Sequence, residues 1–373
     1  MDFLGWIYWD PKPEIFEVFP GWPLRWYSLF FGLGFFGGYF IVKHYIKPLF
    51  APLTDSQIKD WAGWMTQLKN LYQKGEKLTF LNFLKRDEFD AFKRIESPRE
   101  INPRLKNALI ESTNLSLFDA ALTSDAAVDK RQEFDQVFAD TIYPLNDQLS
   151  FYMDRLLWYL ALGTLIGARL GHVFFYQWDH FSSYPIDIFK TWEGGLASHG
   201  GLLGIALAIA LFRLRSAKQF GFVPLWNLLD GVAIACCFTA GCIRIGNFFN
   251  QEILGTPTEL PWAVVFGHPM DQTPSVPCHP VQLYEAIGYF TIFSSLYAAY
   301  RYFKWKPQTG MITGLSLISI FLFRFFVEFF KLPQDEYLDA NSILQTGQWL
   351  SIPCIVVGLY LCYNRYCHTQ KKE

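Results

Sequence analysis

Seven stretches of this chain stay apolar long enough to cross roughly 30 Å of hydrocarbon at about 1.5 Å per helical residue. They run near 24–46, 151–176, 199–214, 224–246, 281–300, 311–330 and 349–363. A polar block near 52–146 separates the first from the second. In that block Trp61, Trp64, Phe80, Phe83, Phe89 and Phe92 recur at three- and four-residue spacing, which predicts a small helical packing unit. Thr54-Asp55-Ser56-Gln57 supplies a helix start. The pattern predicts an all-α polytopic membrane protein with about seven transmembrane helices. Its expected parts are 1–50, an N-terminal segment and first span; 51–150, a polar helical insertion; and 151–373, a six-helix core. The core includes an arm at 177–198 and a small head at 255–279.

Composition agrees with the pattern. The chain is 51% hydrophobic and 18% aromatic, and its mean hydropathy stays positive at +0.13 although the polar block is included. Charge then orients it. Lys43 and Lys47, then Arg213, Arg215 and Lys218, then Arg301, Lys304 and Lys306, fall on one set of connections, with Arg365, Lys371 and Lys372 at the C-terminus. The alternate connections hold Asp179, Asp187 and Glu193, then Glu252, Glu259 and Asp271, then Asp335, Glu336 and Asp339. The positive-inside rule places the first set in the cytoplasm, so the N-terminus is expected outside, the C-terminus inside and the insertion on the cytoplasmic side. Residues 1–19 are acidic and contain Pro11 and Pro13, so no cleavable signal peptide is expected there. Trp6, Tyr8, Trp9, Trp22, Trp26 and Tyr27 look like an interfacial aromatic belt. The seven cysteines lack the spacing of a zinc site or a disulfide framework.

Candidate chemistry comes from polar groups where lipid would not tolerate them. Residues 240–255 begin inside an apolar segment yet carry Arg244, Asn247, Asn250 and Glu252, and an ionisable group at membrane depth is a functional candidate. Counted from about residue 224, Arg244 lies roughly 30 Å along the fourth span, at its outer boundary. Arg324 lies roughly 20 Å into the sixth, and Arg169 reaches a similar depth in the second. His199 opens the third span, and Arg25 with Tyr27 opens the first, from the same outer side. Plainer readings stay open beside this one. Arg169 fits a snorkelling side chain or a structural ion pair; Arg324 and Glu328, four residues apart, fit an intrahelical salt bridge. His199 fits an interfacial histidine, although Gly200 and Gly201 after it allow a ligand or another backbone to come close. Asp230 sits near the cytoplasmic side and is expected to be structural.

Arginine is permanently charged and forks onto phosphate oxygens. A histidine can take a proton from a nucleophile. Arginines and a histidine gathered in the outer half of a bilayer therefore suggest metal-free chemistry on a phospholipid headgroup. A non-catalytic phospholipid-binding or transport membrane protein is the alternative, although transport would be expected to show repeat halves and broken helices near the midplane.

The residues carrying this chemistry also resemble a known family. Ala-Gly-Cys-Ile-Arg244-Ile-Gly-Asn247-Phe-Phe-Asn-Gln-Glu252-Ile-Leu-Gly255 resembles the signature of prolipoprotein diacylglyceryl transferases. The likeness takes in Arg25-Trp26-Tyr27, Gly167-Ala-Arg169-Leu-Gly, Trp192-Glu-Gly-Gly, Ser198-His199-Gly-Gly-Leu and Pro261-Trp262-Ala. It continues through His279-Pro280-Val-Gln282-Leu-Tyr284-Glu285, Arg324-Phe-Phe-Val-Glu328-Phe-Phe and Gly347-Gln348-Trp-Leu-Ser351-Ile-Pro353. The resemblance implies transfer of a diacylglyceryl group from phosphatidylglycerol to the lipobox cysteine of a preprolipoprotein signal peptide, forming a thioether and releasing glycerol phosphate. It implies membrane lipid as the setting, no cofactor, no metal and no nucleic acid partner. It also implies a multi-pass place in the bacterial inner membrane, with the active site toward the periplasmic leaflet. His199, Arg244 and Arg324 are the expected catalytic residues, His199 as base and the arginines on the lipid phosphate. Tyr27, Arg169, Arg244, Asn247, Glu252, Gly255 and Glu328 are the expected substrate-binding residues, with Glu328 positioning Arg324. The chain departs from the pattern in the length of its insertion, in Arg25 where some relatives have His, in Lys331 where some have Arg, and in Ile320 where some have Tyr.

Overall fold

The computed structural model describes residues 5–19, 22–76, 78–95, 101–117, 124–175, 177–190, 197–270, 274–302, 310–332 and 344–370. In chain order the elements are β1 (Ile7–Trp9), β2 (Glu14–Phe19), β3 (Trp22–Arg25), α1 (Trp26–Ile46), α2 (Trp61–Gln73), α3 (Arg86–Arg94), α4 (Pro103–Leu117) and α5 (Ser124–Val137). There follow α6 (Leu145–Phe175), α7 (Trp178–Ser183), α8 (Ser198–Phe220), α9 (Leu225–Phe249), β4 (Val264–Phe266), β5 (Pro277–Cys278), α10 (Val281–Tyr302), α11 (Met311–Val327) and α12 (Thr346–Gln370). Six helical segments are long and apolar enough to cross a membrane: Trp26–Phe50, Leu145–Phe174, Gly200–Phe220, Leu225–Phe249, Met311–Phe330 and Gly347–Cys367. The remaining expected span folds as α10, whose 22 residues give ample length. Its first turns carry Gln282, Tyr284 and Glu285, which lower its apolar character. The chain is thus a polytopic helical protein.

Two compact units divide the chain. One comprises Met1–Val42 with Leu225–Glu373, the other Lys43–Pro224. In the first, α9 packs on α10 and α11, and α11 packs on α12. Asp230 on α9 supplies the N-terminal cap of α11: it accepts hydrogen bonds from the Gly310 N–H at 2.7 Å and from the Thr313 N–H and hydroxyl at 2.8 and 2.6 Å. Those bonds satisfy donors that a helix start leaves orphaned, in keeping with the structural role expected of Asp230. The head, expected only as a short segment, is built on a small sheet ordered β1-β4-β5, and β2 pairs with β3 beside the start of α1. These strands are an addition to the all-helical expectation. β1 runs parallel to β4, with Ile7, Tyr8 and Trp9 opposite Val264, Val265 and Phe266.

In the second unit α6 and α8 are in backbone contact. A side chain on Gly200 would run into the Gly167 carbonyl and the Gly171 backbone, and one on Gly204 into the Gly163 carbonyl. Small residues one turn apart on both helices allow this approach. The space that Gly200 leaves is therefore filled by a neighbouring helix. The polar insertion folds as α2 to α5 around a core that includes Trp64, Met65, Leu68, Phe80, Phe92, Leu105 and Leu109. Its two ends meet: Ile58 bridges Ile142, and the Tyr143 N–H donates to the Gln57 carbonyl at 2.8 Å. Fully buried Arg131 fastens that junction. It donates to Asp135 at 2.7 Å, and to the Ala51 carbonyl and the Gln57 side chain at 3.1 Å each. The second oxygen of Asp135 accepts from the N–H of Leu145, where α6 begins.

Candidate active site

The site grows from the C-terminal turn of α9. Arg244 and Asn247 are three residues apart, one helical turn, so they share a face. The Arg244 Nη1 donates to the Asn247 Oδ1 at 3.1 Å, and the Asn247 Nδ2 donates to the Glu252 Oε1 at 2.6 Å. Glu252 follows the helix in a turn where Gln251 and Ile253 adopt φ of 53° and 60°. That region is uncommon for any L-residue and an outlier for a β-branched one. Such conformations cost on the order of 1–3 kcal/mol each and persist only where their surroundings over-determine them. The surroundings do so here: Gln282 on α10 donates to the Glu252 carbonyl at 2.8 Å, and the Glu252 N–H donates to the Asn247 carbonyl at 3.2 Å.

On its other side Arg244 meets α10. Its Nε lies 2.9 Å from the Oε2 of Glu285, a fully buried carboxylate. The Glu285 Oε1 accepts from Lys331 Nζ at 3.0 Å and from the Tyr289 hydroxyl at 3.0 Å. Lys331 in turn reaches the Glu328 Oε2 at 3.1 Å. This network of two cations and two carboxylates, bridging α9, α10 and the end of α11, is sustained because each charge has an opposite charge and further hydrogen bonds. Sequence reasoning placed neither Glu285 nor Lys331 in the site, although both stood within or next to the quoted motifs. The signal was available: two ionisable residues in otherwise apolar surroundings require partners.

Glu328 was expected to pair with Arg324. It faces Lys331 instead, and among the described residues Arg324 has no carboxylate within ion-pair distance. The reason is local geometry. Glu328 still donates its N–H to the Arg324 carbonyl, so the helical register holds to that point. The chain then tightens into a 3₁₀ turn over Glu328–Phe330, where side chains three apart eclipse, and Lys331 takes the carboxylate. The Glu328 carboxylate also lies against Gly347 of α12, where a side chain would displace it. Arg324 remains within electrostatic reach of Glu285 and Lys331. Tyr27 packs its backbone and ring against Gly246 on α9 and feels the charges of Glu252 and Arg244.

Gly255 lies where the head meets the end of α11. It bridges Lys331, the Thr256 N–H donates to the Phe330 carbonyl at 2.8 Å, and a side chain on Gly255 would strike the His279 carbonyl. The His279 Nδ1 stands 3.2 Å from the Tyr284 hydroxyl, which also accepts from the Trp262 indole at 2.7 Å. Burial pushes the His279 imidazole below its ordinary 6.5. Tyr284 also lines an apolar cavity of about 580 Å³ between α10 and α11, with Ile287, Gly288, Leu322, Phe323 and Phe326.

The other two expected residues belong to the second compact unit. Arg169 is buried and spends its guanidinium on backbone carbonyls of the arm, donating to Ile188 at 2.8 Å and to Lys190 at 3.2 Å, with its charge over the Phe181 ring at 5.0 Å. Among the described residues this grip on main-chain carbonyls joins the readings considered from sequence. His199 occupies the first turn of α8, and its side chain lies outside the described residues. The arrangement in the first unit can hold an anion. Arg244 is aimed by Asn247 and Glu285, and Arg324 stands nearby with its charge uncommitted among the described residues.

Residues 138–364 match the family described as prolipoprotein diacylglyceryl transferase. The chain is 40% identical over 372 residues to the phosphatidylglycerol–prolipoprotein diacylglyceryl transferase of Protochlamydia amoebophila, covering 97% of this chain and 96% of that protein. It is 44% identical over 222 residues to the protein of the same name from Chloroherpeton thalassium, covering 59% of this chain and 79% of the relative. With that from Tolumonas auensis it shares 45% over 220 residues, covering 59% and 81%.

Proposed function

The chain belongs to the prolipoprotein diacylglyceryl transferase family, and from that premise we propose that it transfers the sn-1,2-diacylglyceryl group of phosphatidylglycerol to the lipobox cysteine of a preprolipoprotein signal peptide. The cysteine sulfur attacks the glyceryl carbon that carries the phosphate. A C–S bond forms, the C–O bond to phosphate breaks, and glycerol phosphate leaves with the bonding pair. A free thiol near pKa 8.5 is mostly protonated at neutral pH, so it needs a base or a positive field. His199 is the candidate base. Arg244 and Arg324 hold the phosphate and stabilise charge growing on the leaving group. Asn247 and Glu252 aim Arg244, Tyr27 contributes a hydroxyl to the headgroup, and Gly255 gives the clearance that brings the head against Lys331. Glu328 acts through Lys331, and Arg169 acts through the shape of the arm.

The observation that carries this reading is the arginine pair itself: one guanidinium locked by a buried carboxylate, a second without a carboxylate partner among the described residues. Loop charge supports seven spans with α10 among them, the N-terminus in the periplasm and the site toward the outer leaflet of the inner membrane. An assay of the purified chain with phosphatidylglycerol and a lipobox peptide tests it. Wild type should form the thioether, and Arg324→Ala should lower kcat/KM by about 100-fold or more, the usual effect of deleting one charge-stabilising donor. Absence of transfer by wild type would sink the reading.

A further inference from the structure

The turn that carries Glu252 is tied to the segment preceding the first span. Gln251 makes the tie through its Nε2, and its other polar groups bind α9 and the head. Its N–H donates to the Phe248 carbonyl at 3.2 Å, and its carbonyl accepts from the Met270 N–H at 3.1 Å. Its Oε1 accepts from the His268 N–H at 2.8 Å, and its Nε2 donates to the Asp10 Oδ1 at 3.2 Å. The same Asp10 oxygen lies 2.6 Å from the His268 Nδ1. One residue earlier, the Trp9 indole donates to the Phe248 carbonyl at 3.2 Å, and its ring packs on Phe248 with centroids 4.6 Å apart. The N-terminal strand therefore closes over the end of α9 within two residues of Asn247 and Glu252.

Gln251 is 2% exposed and sits at φ 53°, where glycine would be the unstrained choice. A turn alone gains nothing from a glutamine at that position; what the side chain adds is the link between Asp10 and the main chain at His268. We propose that Gln251 is a positioning residue for diacylglyceryl transfer: clamped by Asp10 and His268, it fixes Glu252 and, through Asn247, the direction of the Arg244 guanidinium. The proposal rests on the transferase reading above. It makes the segment before the first span a working part of the site.

The test uses the purified full chain with phosphatidylglycerol in mixed micelles and a lipobox peptide. Gln251→Gly relieves the backbone and removes both side-chain ties. Its kcat should fall by about tenfold or more, since a displacement of about 1 Å at a reacting group can cost up to about 100-fold. The KM for phosphatidylglycerol and the thermal midpoint should stay at wild-type values. Gln251→Glu sets a carboxylate against Asp10 and should lose rate likewise. Adding Asp10→Asn to it re-forms the bond with donor and acceptor exchanged and should restore most of the lost rate. Normal kcat in Gln251→Gly, or a double variant no faster than Gln251→Glu, would overturn the positioning role. No transfer by wild type would overturn the transferase reading itself, which the variants do not address.

Discussion

Replacing Glu285 with Gln tests whether one buried carboxylate organises the site. Its two oxygens serve Arg244 at 2.9 Å and Lys331 at 3.0 Å. At about 3 Å and an effective dielectric near 20, each contact corresponds to roughly 5 kcal/mol of Coulomb attraction. Much of that is offset by the cost of stripping water from the buried charges. Glu285→Gln keeps shape and some hydrogen bonding but leaves two cations without their common anion, so the net loss should be about 3–5 kcal/mol. Equilibrium unfolding of the purified protein in detergent measures it, with Arg25→Ala as the comparison. The Arg25–Glu14 pair is 4.0 Å apart and half exposed, so it should contribute no more than about 1 kcal/mol. A Glu285→Gln protein that loses no more stability than Arg25→Ala, and still transfers lipid normally, would refute the idea that Glu285 anchors Arg244.

Two further outcomes follow from contacts already described. Gly200→Ala should destabilise by about 2 kcal/mol or more, because the new methyl group meets main-chain atoms of Gly167 and Gly171 that cannot rotate away. Gly201→Ala, whose methyl would stand 3.6 Å from the Ala168 Cβ, should be close to neutral in the same unfolding assay. The Asp10 carboxyl is held below its ordinary 3.8, chiefly by the hydrogen bond from His268 and against the opposing effect of burial. Its stabilising contribution is therefore complete above 3.8 and is lost as pH falls through the depressed native value. The stability difference between wild type and Asp10→Asn, measured by unfolding at a series of pH values, should shrink as pH falls through that acid range; a difference that stays constant there would contradict it.

The helices were legible because apolar length is a property of consecutive residues. α9 and α11 lie close to the expected 224–246 and 311–330, and the aromatic spacing of the insertion did mark helical packing. What escaped depends on partners distant in sequence. Nothing in Ile7–Trp9 announces that it pairs in parallel with Val264–Phe266, since three residues carry too little pattern to specify a neighbour. Trp9 fitted an interfacial belt from sequence, yet it caps the carbonyl of Phe248. Arg324 and Glu328 do keep helical spacing, yet the Glu328 carboxylate goes to Lys331 three residues on, across the 3₁₀ turn that follows. Glu285 and Lys331, 46 positions apart, meet only once α10 and α11 are packed.

The bridge between Ile58 and Ile142, locked by Arg131, has a consequence for the rest of the chain. Paired strand positions lie about 5 Å apart, so the path leaves and returns at nearly one point, with negligible net displacement. Closure is settled inside the appendage, and the chain entering α6 is indifferent to the length travelled beforehand. Since each doubling of a loop adds only about 0.6 kcal/mol of closure entropy, this connection can be shortened, extended or exchanged for a foreign module, provided the two ends stay side by side.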